Sequence, residues 1–343
     1  MKRSLFYAAG MLMLASCSQG SKSSYVVTVN ADQELNDKTA YIIDFDTEEK
    51  LDSAVVAGGV ASFTGEISTP RLVALSIDGK GFAEFYLEPD SILIQNGAVE
   101  GGELNDKNQA YWTERMATIE EFRSLPDSAQ QARYEEFQSR INDAEAKLRE
   151  ENMDNPLGYY YFIAGPARQM SLAQLDSAIA AHPSLGEYKR IQKMRQAFVN
   201  QEETSEGKMF KDFEVTYNDS TFRLSDYVGK GKYVLVDFWA SWCGPCIRQT
   251  AVIKDLYKEY GPKGLEVIGV AVWDKPEDTL KGIESHGLPW KNIINAQSIP
   301  TEIYGIQGIP CIILFGPDGK IISRDKQDDD LRNDVAKAME SAK

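Results

Sequence analysis

The chain has 343 residues, enough for two or three domains, and a hydrophobic content of 43% that can build packed cores. Its 37 Lys+Arg against 52 Asp+Glu leave a net charge of -15, with no basic stripe. That balance argues against nucleic acid or an anionic membrane surface as partner, and the acidity reads as a solubility feature.

The first elements form a targeting segment over residues 1–16. Lys2 and Arg3 make a positive start, and Leu5 to Leu14 a short apolar run, too short to span a bilayer as a stable helix. Leu14-Ala15-Ser16-Cys17 resembles the bacterial lipobox, which implies cleavage before Cys17 and lipid attachment at Cys17. Residues 17–24 are small and polar and suit a flexible tether. Ser18, by the lipoprotein sorting pattern, favours the outer over the inner membrane. The implied location is the cell envelope, lipid-anchored and facing the periplasm. With Cys17 lipidated, only Cys243, Cys246 and Cys311 remain. The chain is therefore not a scaffold stapled by disulfides, although export would place it in an oxidising compartment.

Residues 25–102 predict a small antiparallel β domain, a sandwich or barrel. Its strands are Tyr25 to Val29, Thr39 to Phe45, Leu51 to Val56, Val60 to Thr64, Leu72 to Ile77, Phe82 to Leu87 and Ser91 to Gln95, with Gly58-Gly59 and Asp78-Gly79 as turn dipeptides. No catalytic constellation stands out there. Residues 103–205 predict a helical region: Arg115 to Phe122 and Tyr134 to Leu148 carry apolar residues at three- and four-residue spacing. Ser171 is the expected N-cap of Leu172 to Ala180. The run Tyr159-Tyr160-Tyr161-Phe162 reads as packing core rather than a ligand surface.

From 206 to 343 the pattern alternates. A hairpin (Phe213 to Val215, Thr221 to Leu224) precedes a buried strand, Tyr233 to Trp239. A helix, Gly244 to Tyr260, leads to a second buried strand, Leu265 to Val272, and a helix from Pro276. A hairpin around Gly316-Pro317-Asp318-Gly319 and a helix from Asp330 complete the chain. This predicts an α/β domain with a central mixed sheet flanked by helices.

Trp242-Cys243-Gly244-Pro245-Cys246 carries the chemistry. Two thiols sit two residues apart where a strand feeds a helix. Unpaired N–H groups and the helix dipole there favour a thiolate that attacks a disulfide, and its neighbour can complete the exchange. Val236 through Cys246, followed by Gly308-Ile309-Pro310, resembles the thioredoxin-fold thiol–disulfide oxidoreductases. The membrane-tethered, cell-envelope subgroup is the nearer match. The resemblance covers roughly the last two-fifths of the chain. The β-rich segment more weakly resembles a domain of unassigned role found ahead of such modules in lipoproteins.

The expected roles follow. Cys243, at the exposed end of the strand, is the nucleophile, and Cys246, one turn further in, is the resolving thiol. Gly244 permits close approach of a partner, and Pro245 stiffens the turn. The resemblance places Asp237 beneath the cysteines as a buried proton relay for Cys246, with burial raising its pKa. It makes Pro310 a cis-proline that leaves the backbone of Ile309 open to a substrate strand. Trp242 is expected to cover the sulfurs and meet partners. The implied partners are disulfide-containing envelope proteins and an upstream electron donor, with no cofactor beyond the cysteine pair.

Three positions depart from the family's pattern: Cys311 follows the proline, and Gln249 and Ala251 stand where an acid and a kinking proline are usual. Cys311 reads as a small buried hydrophobe, with a third redox thiol as the alternative. The enzyme alternative is a thiol peroxidase of the peroxiredoxin type. The alternative from another class is a partner-binding lipoprotein that uses the module as a scaffold. A zinc site is disfavoured, since only His182 and His286 are available and a Pro separates the sulfurs.

Overall fold

The computed structural model describes residues 23–340, so the expected leader and Cys17 lie outside the described residues. The chain divides into two units, one ending at Pro166 and the other starting at Ala167.

The first unit begins with eight strands: β1 (Ser24–Asn30), β2 (Thr39–Asp44), β3 (Lys50–Val55), β4 (Val60–Glu66), β5 (Arg71–Ile77), β6 (Lys80–Leu87), β7 (Ser91–Gln95) and β8 (Ala98–Glu100). They form two sheets, ordered β4-β1-β7-β8 and β3-β2-β5-β6. Period-two patterning drives the arrangement. Strand β1 buries Tyr25, Val27 and Val29 and turns the residues between them outward. Val27, Ile42, Phe63, Leu75, Phe85 and Ile94 share one core between the sheets, which makes a sandwich. One pair, β1 with β7, is parallel. β7 arrives after the chain has crossed to the other sheet for β5 and β6, and such a crossover permits what a hairpin cannot. Asp78-Gly79 closes the β5–β6 hairpin with both φ angles positive, 53° and 76°. Gly58-Gly59 instead turns the chain from one sheet to the other.

Helices α1 (Glu103–Arg123), α2 (Asp127–Glu151) and α3 (Pro156–Ala164) complete this unit. The first two begin well ahead of their apolar spacing: α2 opens on exposed Asp127 and Ser128, and α1 opens on Glu103 with Leu104 and Asn105 already buried. Tyr161 of α3 packs with Leu72, Tyr86, Leu104, Tyr111 and Leu157, so the aromatic run is core between helices and sheet.

The second unit opens with α4 (Leu172–Ala181) and α5 (Lys189–Glu203). The helical stretch expected over 103–205 is thus shared between the two units. Ser171 caps α4 in a reciprocal box with Gln174. The hairpin β9 (Glu214–Tyr217) and β10 (Ser220–Arg223) follows, then β11 (Tyr233–Trp239), α6 (Gly244–Tyr260), β12 (Leu265–Ala271) and α7 (Pro276–Ser285). Next come β13 (Lys291–Ile293), α8 (Ile299–Ile303), β14 (Cys311–Phe315), β15 (Ile321–Arg324) and α9 (Asp328–Glu340). The sheet order is β13-β12-β11-β14-β15, parallel from β13 to β11 and antiparallel beyond. Leu235, Ile312 and Leu314 face α6 and α9. Val236, Phe238 and Ile313 face the opposite core with Val215, Leu224 and Tyr304.

Helix α5 is fastened to this module. Asn200 Nδ2 donates to the Glu302 carbonyl at 2.7 Å and the Thr204 hydroxyl to the Tyr304 carbonyl at 3.2 Å. The buried Arg324 guanidinium donates to the carbonyls of Thr204 and Tyr304 at 3.0 and 2.8 Å. A Cβ at Gly305 would sit 2.1 Å from the Ala197 carbonyl oxygen, so only glycine allows the approach. Among the described residues no helix is long and apolar enough to cross a membrane.

Candidate active site

The cysteine pair sits where β11 hands over to α6. Cys243 is the N-cap of α6 and Pro245 lies in its first turn, where a missing N–H costs nothing. Cys243 and Cys246 are joined by a disulfide of 2.04 Å. The Cys246 backbone N–H donates to Cys243 Sγ at 3.2 Å, so a helix-terminal donor already points at the sulfur that would carry charge after reduction. Cys243 is 4% exposed and Cys246 1%. Cys243 was expected at an exposed strand end. It is the more accessible residue of the two, but in the oxidised pair it is buried between exposed Trp242 and exposed Gly244 and Pro245 in the chain.

The loop Gly308-Ile309-Pro310 closes the other side. The Ile309–Pro310 peptide is cis, and the Ile309 carbonyl oxygen lies 3.8 Å from Cys243 Sγ. Ile309 and Pro310 are half-buried. Trp242 is 61% exposed. Its indole N–H donates to the Trp273 carbonyl at 3.0 Å, which fixes the ring as an apolar surface beside the sulfurs.

Asp237 is central to β11 and 2% exposed. It is paired with Gly269 on one side and Ile312 on the other. Alternation along β11 puts Leu235, Asp237 and Trp239 on the face that carries Cys243 and Cys246. Its Oδ1 has no hydrogen-bond partner. Burial alone pushes its pKa up to about 7, with no countercharge to hold it down.

Cys311 is free and 1% exposed. It packs with Val236 and Phe238 on the opposite face of the sheet from the disulfide. Burial raises its thiol well above the usual range, with Asp325 adding to the rise. That placement matches a small buried hydrophobe. Gln249 makes a reciprocal pair with Asp328: its Nε2 donates to Oδ1 at 2.7 Å, and the Asp328 N–H donates back to Oε1 at 3.1 Å. The usual acid is thus replaced by an amide tying α6 to the start of α9. With Ala251 in place of proline, α6 runs as one helix.

One positioning residue escaped the sequence reading. Asp274 is buried and accepts from the Ser241 N–H at 2.8 Å, the Ser241 hydroxyl at 3.0 Å and the Thr279 hydroxyl at 2.9 Å. It therefore holds the residue that leads into Trp242-Cys243. Its partners lie 33 residues upstream and 5 downstream, so no local motif marks it.

Among the described residues of this unit, two hollows bear on the site's surroundings. One of about 650 Å³, lined by Lys232, Tyr257, Pro262 and Leu265, opens at the starting ends of β11 and β12. Strand rise puts it about 20 Å from the disulfide, too far to take part. The other, about 260 Å³, adjoins Pro310 and is lined by Gln201, Gln307, Gly308, Asp325 and Gln327.

A mixed sheet with a disulfide-bonded Cys-x-x-Cys at a helix N-terminus, facing a cis-proline loop, defines the class of thioredoxin-like proteins. The AhpC/TSA family profile matches residues 207–324, and a domain of unknown function, DUF4369, matches 25–108. The thiol-disulfide oxidoreductase ResA of Bacillus cereus is 31% identical over 134 residues, 38% of this chain and 76% of the relative. The ResA of Geobacillus thermodenitrificans is 34% identical over 99 residues, 29% of this chain; the match spans only 56% of that relative. Among solved structures, the thioredoxin domain of a Bacteroides vulgatus thiol-disulfide oxidoreductase is 32% identical, with 39% of this chain and 96% of that chain covered and a TM-score of 0.35. The chain belongs to the thioredoxin-fold thiol–disulfide oxidoreductase family.

Proposed function

We propose that this protein is a cell-envelope thiol–disulfide oxidoreductase that reduces disulfides in substrate proteins. The observation that carries the reading is the Cys243–Cys246 pair at the N-terminus of α6, on the same sheet face as an enclosed, unpartnered carboxyl. In the reduced protein the Cys243 thiolate attacks a substrate cystine. A mixed disulfide forms and one substrate thiolate leaves. Cys246 gives its proton to ionised Asp237 and attacks Cys243 Sγ, and the second substrate thiolate leaves. The substrate gains two electrons and the pair is oxidised to the disulfide; an external dithiol donor restores it. Trp242, Gly244, Pro245 and the backbone of Ile309 form the surface on which the substrate strand lies. Cys17 supplies the lipid anchor, Ser18 favours the outer membrane, and the partners are disulfide-bearing envelope proteins together with the donor.

The test is insulin reduction by the full chain with dithiothreitol as donor. Turnover is expected in the wild type and none in Cys243→Ser. No turnover in the wild type, or undiminished turnover in Cys243→Ser, contradicts the reading. Hydrogen peroxide consumption by Cys246→Ser would instead favour the peroxidase alternative.

A further inference from the structure

The hollow beside Pro310 has polar walls that the exchange chemistry does not use. It holds about 260 Å³ and is lined by Gln201 of α5, by Gln307, Gly308 and Pro310 of the cis-proline loop, and by Asp325 and Gln327 beyond β15. The AhpC/TSA profile matches residues 207–324. Gln201, Asp325 and Gln327 lie outside that stretch, so half of these walls are this chain's own addition to the module.

These walls are held in place. A Cβ at Gly305 would sit 2.1 Å from the Ala197 carbonyl oxygen and 2.6 Å from the Gln201 nitrogen, so this glycine brings α5 and Gln201 against the loop. Asn200 and Thr204, on either side of Gln201, donate to the carbonyls of Glu302 and Tyr304. Asp325 is fixed from the other side. Its Oδ2 accepts from the Arg324 Nε–H at 3.0 Å, and its own N–H donates to the Ile312 carbonyl at 2.9 Å. The side-chain amides of Gln201, Gln307 and Gln327 are exposed and, among the described residues, bond no other protein group. Each amide offers an acceptor and two donors. Asp325 only accepts, and the Arg324 guanidinium balances its charge.

The loop gives a substrate chain a route to the hollow. The pairing of β14 with β11 begins at Cys311, so the Ile309 backbone stands outside that ladder. Nothing lies within 4 Å of a Cβ built on Gly308, which leaves the loop open there. Gly308 and Pro310, the neighbours of Ile309, both line the hollow. An extended chain paired on Ile309 advances about 3.3 Å per residue and turns alternate side chains to one side. The Ile309 carbonyl oxygen is 3.8 Å from Cys243 Sγ. The side chain that meets the hollow therefore belongs to a residue within about two positions of the attacked cysteine. We infer that Gln201 is a specificity-determining residue, and that the hollow is a subsite for a substrate side chain bearing an uncharged amide. Such a side chain can donate to Asp325 and exchange paired hydrogen bonds with the glutamines. An aliphatic side chain displaces water from these groups and returns no bond. A carboxylate meets the Asp325 carboxylate.

The inference rests on the proposed exchange reaction, and the test separates the two. The substrates are symmetric disulfide dimers of a short peptide with one cysteine. Gln, Leu, Glu or Lys is placed in turn at each of the two residues before and after that cysteine. The prereduced full-length protein is mixed with each dimer, and the second-order rate constant of reduction is read by chromatography. At one of these positions the Gln peptide should be reduced about fivefold faster than the Leu or Glu peptide, the scale of one or two hydrogen bonds. Gln201→Ala should bring the Gln peptide to within about twofold of the Leu peptide. Gln201→Glu places a second carboxylate on the wall and should turn the preference to Lys, about fivefold over Glu. Rates within about twofold for all peptides at every position overturn the subsite and leave the exchange reading intact. A Gln preference that survives in Gln201→Ala, or an equal slowing of every peptide by that change, overturns the role of Gln201. A wild type that reduces none of the peptides refutes the exchange reading and the subsite with it.

Discussion

Asp237 carries an unusual burden for one residue: a carboxyl in the middle of a buried strand with no partner for its Oδ1. Its pKa, about 7, lies above the unfolded value of about 3.9. Between those two values the folded state binds more protons than the unfolded state, so stability falls as pH rises from about 4 to 7. The contribution is fully present below the unfolded value and is lost through the folded one. The oxidised wild type should therefore melt lower at pH 8 than at pH 5.5, and Asp237→Asn should flatten that slope, with a difference on the order of a few kcal/mol in calorimetry. Parallel slopes would mean that the carboxyl is solvated. Cys311, on the opposite face, needs no titration: Cys311→Ala should cost about 1 kcal/mol through lost packing and keep insulin reduction within twofold. A tenfold loss of rate would make it a redox participant. Cys243 and Cys246 were legible in the sequence because the Cys-x-x-Cys spacing is local, whereas the expected roles of Asp237 and Pro310 came from the family resemblance. Asp274 was not legible, because its role depends on a loop and a helix that only the fold brings together.

At the scale of elements, β11, α6 and β12 were legible almost to the residue, since buried parallel strands and a Pro-started helix have sharp ends. Short β8 and β13 were not, at three residues each, too brief for a period to register. The loop between β11 and α6 depends on α7, because Asp274 accepts from both Ser241 and Thr279. Asp274→Ala takes the acceptor from the buried Thr279 hydroxyl and from the half-buried Ser241 N–H and hydroxyl, and should destabilise the protein by about 2–4 kcal/mol in urea unfolding. It should also slow exchange through misplacement of Cys243. A loss of stability under 0.5 kcal/mol would show that the loop is held by other contacts.

For the whole molecule, the division at Pro166 predicts which pieces stand alone. A chain starting at Ala167 keeps α5 against Tyr304, Gly305 and Arg324; one starting at residue 206 loses the Thr204 and Asn200 bonds. The first should unfold cooperatively, as a unit with its own core. The second should melt at least 5 °C lower, as expected for removal of about 2 kcal/mol from a domain of this size. Equal melting temperatures would show that α5 is dispensable. The sequence reading placed the helices as one region between two domains, since helical spacing says what is apolar but not which neighbour covers it.

The most direct test of the account is covalent capture. Cys246→Ser and Cys243→Ser, each in the full-length chain, are mixed with an oxidised protein substrate, quenched with acid and examined by non-reducing mass spectrometry. The account predicts a one-to-one mixed disulfide through Cys243 in the Cys246→Ser protein and none in the Cys243→Ser protein. Adducts in equal yield from both, or an adduct through Cys311, would contradict it.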